Sequence, residues 1–289
     1  MGPPTSGGIT VIQILKLLEG KNLSQYEPLS VEAVHLFTQA GKLAYADRGK
    51  YMADADFVAV PVEGLIDANY LAERAKLIGL EDMGKASPGI PPNADANWLV
   101  SKSPEQPSTT HFSIVDKAGN GFSMTSSIEM AFGSTVMVHG FLLNNQLTDF
   151  SFSEEKNGVL IANRVQPGKR PRSSMSPFMV FDENDNLSMV IGSPGGSRII
   201  NYVAKTMLGV LEWDMDIQSA ISLPHFVNRN GGTDLEKNTE AAMLKAALEA
   251  LGHQVSVRDL NSGLHGITIN SEGLQGGADP RRVGRAMGQ

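Results

Sequence analysis

A hydroxyl-rich segment, residues 108–113 (STTHFS), stands where a proline-rich stretch meets a run typical of a strand. Threonines often begin strands, and from this segment alone a structural role is favoured. The alternative is a cleavable bond before Thr109. Cleavage would free an α-amino group with a pKa of about 7.7–8, a base that can take the proton from the hydroxyl of the same residue. N-terminal threonine nucleophiles are activated in this way.

A glycine-rich loop, residues 192–198 (GSPGGSR), lies between a strand-like run and a helical one. The backbone N–H groups of Gly195 and Gly196, at the start of a helix, could hold an anion or a developing oxyanion. A phosphate-binding loop or a plain tight turn is the alternative. The loop lacks the lysine of a P-loop and the glycine spacing of a dinucleotide site.

Two further polar segments could bind the ends of a small substrate. Residues 144–150 (NNQLTDF) offer the charge of Asp149 and the acceptor of Gln146 to an ammonium group. Residues 173–177 (SSMSP) offer three hydroxyls to a carboxylate. The alternatives are a loop with Asx-turns and a capped turn, respectively.

Metal and thiol chemistry find no support in the sequence. The chain has no cysteine, which excludes disulfides, thiolate catalysis and zinc sites built on cysteine. No histidine pair has metal-ligand spacing on a helix, and no HExxH occurs. His111 lies within the hydroxyl-rich segment, next to Thr110, and a structural role is favoured for it. We therefore expect no metal and no cofactor.

The composition limits the classes of partner that the chain can bind. With 289 residues and a net charge of −7, the chain can bury a full core but offers no large basic patch to nucleic acid. No stretch of about 18 apolar residues predicts a membrane span. Residues 1–4 (MGPP) lack the charged start and apolar run of a signal peptide. We expect from this abrupt beginning that the chain is a fragment or one piece of a larger protein.

Hydrophobic periodicity predicts the elements that position these groups. Helices are predicted at residues 11–18, 34–44 (with Ser30 as N-cap), 68–78, 197–211, 217–223 and 235–251. Strands are predicted at residues 111–115, 122–128, 178–181, 187–191, 265–269 and 274–278. Residues 87–107, rich in proline, serine and asparagine, read as an exposed linker. Strand pairs followed by helices favour a layered α+β domain.

Taken together, these segments resemble the γ-glutamyltransferase (γ-glutamyl transpeptidase) family of N-terminal-nucleophile hydrolases. The resemblance is carried, in order and spacing, by residues 109–116, 140–146, 149–150, 170–177, 192–198 and 278–281. Residues 3–8 (PPTSGG) and 45–48 (YADR) are similar to parts of that family's large subunit. The resemblance implies an α+β, four-layer αββα sandwich that is incomplete in this chain. Residues 1–108 would be the C-terminal part of the large subunit, and residues 109–289 the small catalytic subunit.

The resemblance also implies catalytic roles. Thr109 would be the nucleophile and would become a new N-terminus after autocatalytic cleavage of the Ser108–Thr109 bond. Ser127 stands where the family usually has a threonine whose hydroxyl assists the nucleophile. The N–H groups of Gly195 and Gly196 would form the oxyanion hole.

Five further residues would bind the substrate. By resemblance, Gln146 and Asp149 hold its α-amino group, while Ser173 and Ser174 bind its α-carboxylate. Glu129 departs from the pattern, because many members have an asparagine there. A carboxylate at this position could add a second contact to the α-amino group; the alternative is a side chain that faces solvent or a surface arginine.

The implied reaction is acyl transfer from glutathione-like γ-glutamyl amides to water or to an acceptor amino acid or peptide. Residues 150–172 form a short segment without tyrosine, so the Tyr–Asn lid of some members is predicted to be absent. The family's large subunit is longer than residues 1–108 and supplies an arginine to the substrate carboxylate, so its N-terminal part is an expected partner. The family suggests a periplasmic or secreted protein. The alternatives are an acylase on another amide, such as an acylated β-lactam nucleus, and a truncated, inactive chain.

Overall fold

The computed structural model describes residues 1–101 and 108–288. Its helices are α1 (Gly7–Leu18), α2 (Val31–Tyr51), α3 (Val62–Leu65), α4 (Ala68–Ala75), α5 (Ile199–Leu211), α6 (Ile217–Ser222) and α7 (Lys245–Ala250). Its strands are β1 (Thr109–Val115), β2 (Gly121–Ser127), β3 (Met137–Val138), β4 (Phe141–Leu142), β5 (Glu155–Lys156), β6 (Val159–Leu160), β7 (Phe178–Phe181), β8 (Leu187–Gly192), β9 (Phe226–Asn228), β10 (Thr233–Glu236), β11 (Val255–Arg258), β12 (His265–Asn270) and β13 (Gly273–Ala278). None of the helices in the described ranges is long and apolar enough to cross a membrane.

The N-terminal helices form where the apolar pattern predicts them. The Ser30 hydroxyl accepts a hydrogen bond of 3.2 Å from the backbone N–H of Ala33, so it caps α2 as expected. Helix α1 ends just before Gly20, whose φ of 76° a glycine adopts without strain. Both helices pack with α5 in one buried core, to which α2 contributes Phe37 and Leu43. The two predicted helices are therefore confirmed, and α2 extends beyond its predicted end.

A four-stranded antiparallel sheet with the order β13–β12–β8–β7 lies against the helices. Met189 and Ile191 of β8 belong to the helical core. Helix α6 lies close over β12, because a Cβ at Gly266 would meet the Ile217 side chain at 2.9 Å. The sheet thus has one face covered by helices.

The β1–β2 hairpin covers the other face of this sheet. A Cβ at Gly121 would lie 3.1 Å from the Val190 side chain, and the Ser123 hydroxyl donates to the backbone oxygen of Ile191 at 3.1 Å. The described residues therefore form a mixed helix and sheet fold with helices, a sheet and a second β layer. The outer face of the hairpin is exposed in the described part of the chain, at Phe112, Ile114, Phe122 and Met124.

The helix predicted at residues 235–251 is confirmed in its second part and wrong in its first part. Strand β10 takes the first part of that stretch, pairing with β9 on one side and parallel to β11 on the other. A 3₁₀-helix (Glu240–Leu244) and the short α7 follow. Strand pairing from distant segments outweighs the local helical pattern here. Of the predicted linker, residues 87–101 form no helix or extended strand, and residues 102–107 lie outside the described residues.

Candidate active site

The hydroxyls of Thr109 and Ser127 meet at the open end of the β1–β2 hairpin, because the register pairs these two residues. The Thr109 hydroxyl donates to the Ser127 hydroxyl at 3.2 Å. Ser127 in turn donates to the carbonyl oxygen of Ser108 at 3.0 Å and accepts from the backbone N–H of Glu129 at 3.0 Å. One serine side chain therefore contacts both the hydroxyl of Thr109 and the carbonyl before it.

His111 follows on the same face of β1, since side chains alternate along a strand. Its Nδ1 lies 2.8 Å from the Thr125 hydroxyl and its Nε2 lies 3.1 Å from the Ser113 hydroxyl. Burial, together with the nearby His265, lowers the pKa of His111 to about 3, so the ring is neutral at ordinary pH. The ring packs directly on Gly192, where a Cβ would lie 2.2 Å from it. The contacts of His111 are thus consistent with the structural role that was favoured for it from the sequence.

One side of the site consists of hydrogen-bond acceptors, and we name Glu129, Gln146 and Asp149 the acceptor wall. Gln146 and Asp149 begin and end a 3₁₀-helix (Gln146–Asp149), in which residues three apart share a face. The Gln146 amide donates to Asp149 Oδ2 at 2.9 Å and to Glu129 Oε2 at 3.3 Å. Both carboxylates belong to residues that are only 4% exposed. They would favour a cation over a neutral ligand.

Two details of the acceptor wall point to a ligand. The Oε1 atom of Gln146 is buried and has no hydrogen-bond partner among the described residues. Such an atom is costly unless a donor reaches it. Glu129 has a φ of 72°, which a residue with a side chain rarely adopts, and strain of this kind is concentrated at functional sites. An ammonium group would supply donors to all three side chains.

The opposite side offers donors, and we name Ser173, Ser174, Gly195 and Gly196 the donor wall. Gly195 and Gly196 have φ values of 137° and 61°, and they precede the start of α5. A Cβ at Gly195 would meet the Tyr202 ring at 2.7 Å, so a side chain is excluded there. Backbone N–H groups at a helix start are suited to an anion or oxyanion.

These groups surround one open pocket. Of the nine site residues predicted from the sequence, eight line it: Thr109, Ser127, Glu129, Gln146, Asp149, Ser173, Ser174 and Gly196. Gly195 is the neighbour of Gly196 in the same loop. Met175 and Ile199 also line the pocket and were not predicted; Met175 directly follows Ser174, and Ile199 is the first residue of α5.

Two arginines that the sequence analysis missed lie next to the site. Arg282 donates to the carbonyl oxygen of Thr109 at 3.3 Å and to the side chain of Asn261 at 2.9 Å. Arg48 donates to the Ser174 hydroxyl at 2.6 Å. Arg48 gave one signal in the sequence, because it ends the segment 45–48 (YADR) that is similar to part of the family's large subunit. Arg282 gave no signal in the sequence beyond its position directly after the segment 278–281.

The chain is similar to proteins of a known family. A model of the family described as Gamma-glutamyltranspeptidase matches residues 1–289. The chain is 36% identical to the glutathione hydrolase proenzyme of Bacillus subtilis (strain 168), over 99% of this chain and 50% of that protein. It is 32% identical to the Acylase ACY 1 proenzyme of Pseudomonas sp. (strain SE83), over 96% of this chain and 47% of that protein. The chain thus spans about half the length of the curated relatives it matches.

Among solved structures, the chain is similar to gamma-glutamyltranspeptidase from Pseudomonas nitroreducens complexed with L-DON. The sequence identity is 32% and the TM-score is 0.56. The similarity covers 62% of this chain and 99% of the solved chain.

Proposed function

The chain belongs to the gamma-glutamyltranspeptidase family, and from this we propose that it forms the catalytic part of an enzyme that transfers or hydrolyses γ-glutamyl groups. One observation carries the proposal: a single pocket joins the Thr109 hydroxyl, the acceptor wall and the donor wall. A γ-glutamyl amide has an α-ammonium and an α-carboxylate at one end and the reactive amide at the other. The acceptor wall would take the ammonium and Ser173 and Ser174 the carboxylate, which directs the amide carbonyl toward Thr109.

We propose that the first reaction of the site is on its own chain. The Thr109 oxygen attacks the carbonyl carbon of Ser108, the C–N bond breaks, and the hydroxyl proton goes to the released α-amine. Water then hydrolyses the ester, which returns a proton to the Thr109 oxygen and leaves a carboxylate on Ser108. The hydrogen bond from Ser127 to the Ser108 carbonyl oxygen supports this role, because it withdraws electron density from the bond under attack.

In each later turnover, the new α-amino group of Thr109 takes the proton from the Thr109 hydroxyl. The hydroxyl oxygen attacks the γ-carbonyl of the substrate, and the N–H groups of Gly195 and Gly196 stabilise the oxyanion. The amine leaves with the proton, and the γ-glutamyl ester on Thr109 passes to water or to an acceptor amino acid or peptide.

We propose a two-chain architecture for the mature enzyme. Residues 1–108 would end the large subunit and residues 109–289 would form the small one. The solved chain from P. nitroreducens supports this division, since 99% of it aligns with 62% of this chain. The exposed outer face of the β1–β2 hairpin supports a further helical layer from the missing N-terminal part, which would complete a four-layer αββα sandwich.

An acylase is the second candidate, because an acylase proenzyme is among the relatives. An acyl group without an ammonium would bring no donor to the buried Oε1 atom of Gln146, which has no hydrogen-bond partner among the described residues. The acceptor wall therefore favours the γ-glutamyl substrate.

The test uses the full-length precursor with its large-subunit sequence complete. It should split between Ser108 and Thr109 without added protease, and Edman sequencing of the smaller product should begin Thr-Thr-His-Phe. The cleaved protein should release p-nitroaniline from γ-glutamyl-p-nitroanilide faster than from glutaryl-p-nitroanilide, which lacks the amino group. A stable single band or a cut elsewhere would refute the nucleophile. Preference for the glutaryl compound would favour the acylase.

A further inference from the structure

Asn163 is a fully buried residue of the loop between β6 and β7, and it does not line the pocket. Its side-chain nitrogen donates to the carbonyl oxygen of Asp149 at 2.9 Å, and its side-chain oxygen accepts from the backbone N–H of Arg172 at 3.0 Å. Asp149 belongs to the acceptor wall, and Arg172 directly precedes Ser173 of the donor wall. One carboxamide therefore joins the backbones of the two walls.

The backbone of Asn163 strengthens the same link. Its carbonyl oxygen accepts from the N–H of Ser151 at 2.9 Å, and Ser151 forms a parallel β-bridge with Arg164. Phe150 and Ser151 directly follow Asp149, and both are buried. The chain is thus held in the interior at the point where the acceptor wall ends.

The donor side of this link is anchored in the core. Arg172 is buried, and its Nη1 donates to the backbone oxygen of Arg48 in α2 at 3.1 Å. The ammonium group of Lys169 donates at 2.6 Å to the carbonyl oxygen of Ala162, the residue directly before Asn163. Asn163 therefore reaches from a fixed backbone toward the acceptor wall. A carboxamide suits this place, because one end of it donates and the other accepts.

We propose that Asn163 is a positioning residue that sets the distance between the two walls, so that the site selects acyl groups with an ammonium and a carboxylate on one carbon. The inference rests on the proposed γ-glutamyl function. The two charged groups of an α-amino acid are a fixed distance apart, and they engage both walls together only when the separation of the walls matches that distance. A substrate with one of the two groups engages one wall and is insensitive to the separation.

The test uses three p-nitroanilides and the full-length enzyme. The γ-glutamyl compound carries both groups, the glutaryl compound carries only the carboxylate, and the 4-aminobutyryl compound carries only the ammonium. Asn163→Ala should lower kcat/KM for the γ-glutamyl compound roughly 10-fold, mainly through KM, since the variant loses both side-chain hydrogen bonds of the link. The two other compounds should change less than about 3-fold.

Asn163→Asp separates the two ends of the link. The carboxylate keeps the shape of the side chain and can accept from the Arg172 N–H, but when ionised it cannot donate to the Asp149 carbonyl oxygen. The same selective loss on the γ-glutamyl compound is expected. If Asn163→Ala does not fold, Asn163→Asp and Asn163→Ser, whose side chain is too short to reach both partners, carry the test.

Asn228→Ala is the matched control. Asn228 is also a fully buried asparagine, and its side chain donates to the carbonyl oxygen of Gly231 at 3.1 Å and accepts from the N–H of Asn230 at 2.8 Å. These partners lie in the turn between β9 and β10, so the three compounds should be affected alike. With an active wild type, the inference alone is overturned if the Asn163 variants lose no more activity on the γ-glutamyl compound than on the other two. A wild type inactive on γ-glutamyl-p-nitroanilide would overturn the proposed function and the inference with it.

Discussion

The two walls of the pocket are built in different ways. The donor wall rests on the buried core: Ser174 is held by Arg48 of α2, Ser173 by Ser6 at the start of α1, and Gly195 by the Tyr202 ring of α5. These supports come from parts of the chain that are far apart in sequence. The fold therefore fixes the donor wall before any ligand arrives.

The acceptor wall belongs to a segment with little support of its own. Between Glu129 and Asp149 the chain forms only the two-residue strands β3 and β4 and a 3₁₀-helix. Its large apolar side chains are exposed among the described residues: Met130, Phe132, Val136, Met137, Val138, Phe141, Leu143 and Leu147. A surface of this kind is typical of one that another chain covers. In the proposed function, recognition of the substrate is divided between a wall supported by the core of this chain and a wall whose exposed apolar surface another chain would cover.

The largest effect should come from Thr109, which both walls serve. Thr109→Ala should abolish cleavage and turnover together, a loss of at least about 10³-fold, because in the proposed mechanism one hydroxyl performs both reactions. Thr109→Ser should retain some of each. Gel analysis of the precursor and release of p-nitroaniline measure the two reactions. The control is Thr110→Ala at the exposed neighbouring residue; if Thr109→Ala matures normally, Thr110 becomes the first suspect.

The second prediction separates the walls directly. Expressed alone, the 289-residue chain should aggregate or stay inactive, and co-expression with the missing upstream segment should restore solubility and activity. In hydrogen exchange, backbone amides of residues 130–148 should slow strongly when the upstream segment is present. Amides of residues 173–176 should be protected in both samples. A monodisperse, fully active chain would contradict the proposed difference in support between the two walls. Equal changes in hydrogen exchange in both segments would contradict it as well.

How far the sequence alone predicts this site depends on the wall. The polar residues of both walls were recognisable because they occur in short motifs whose order resembles a known family. The residues that hold these walls in place were not recognisable from the sequence. Arg48, for example, meets Ser174 only when α2 packs on a segment more than a hundred residues away. Strand β10 was missed for the same reason, because its pairing with β9 and β11 is set by the fold and not by its own pattern.

A smaller effect should isolate the acceptor wall. Glu129→Gln should raise KM for γ-glutamyl-p-nitroanilide, with a loss of roughly 1.5–3 kcal/mol, or about 10- to 150-fold, as expected for a charge-assisted hydrogen bond to an ammonium. Glutaryl-p-nitroanilide, which lacks the ammonium, should change little or improve. Ser174→Ala is the counterpart on the donor wall and should weaken both substrates. Equal effects of Glu129→Gln on both compounds would show that Glu129 does not contact the α-amino group.

The smallest effect is a loss of folding stability in acid, through a histidine that packs beneath the donor wall. His111 packs on Gly192, where the donor-wall loop begins, and burial lowers its pKa to about 3. The unfolded chain binds a proton near pH 6.5, so the stability that the neutral ring provides is present at neutral pH and is lost as pH falls from 6.5 toward 3. By pH 5 the loss should be roughly 2 kcal/mol.

The measurement is denaturant unfolding of the full-length protein at pH 7 and pH 5, with His111→Gln as reference. Histidines distant from His111 contribute alike to both proteins and cancel in the difference, whereas the nearby His265 is coupled to the substitution. Wild type should lose more stability than His111→Gln over this interval. Parallel losses would mean that His111 is not the group that acid protonates.

The hydrogen bond from Ser127 to the carbonyl oxygen of Ser108 has a consequence for the timing of activity. In the proposed mechanism, the backbone of the uncleaved chain lies where a substrate carbonyl would bind, so each molecule must act on itself before it can act on anything else. Such a step is unimolecular, and its half-time should not change on dilution. The active fraction in a cell would then record the age of the protein population and not its concentration.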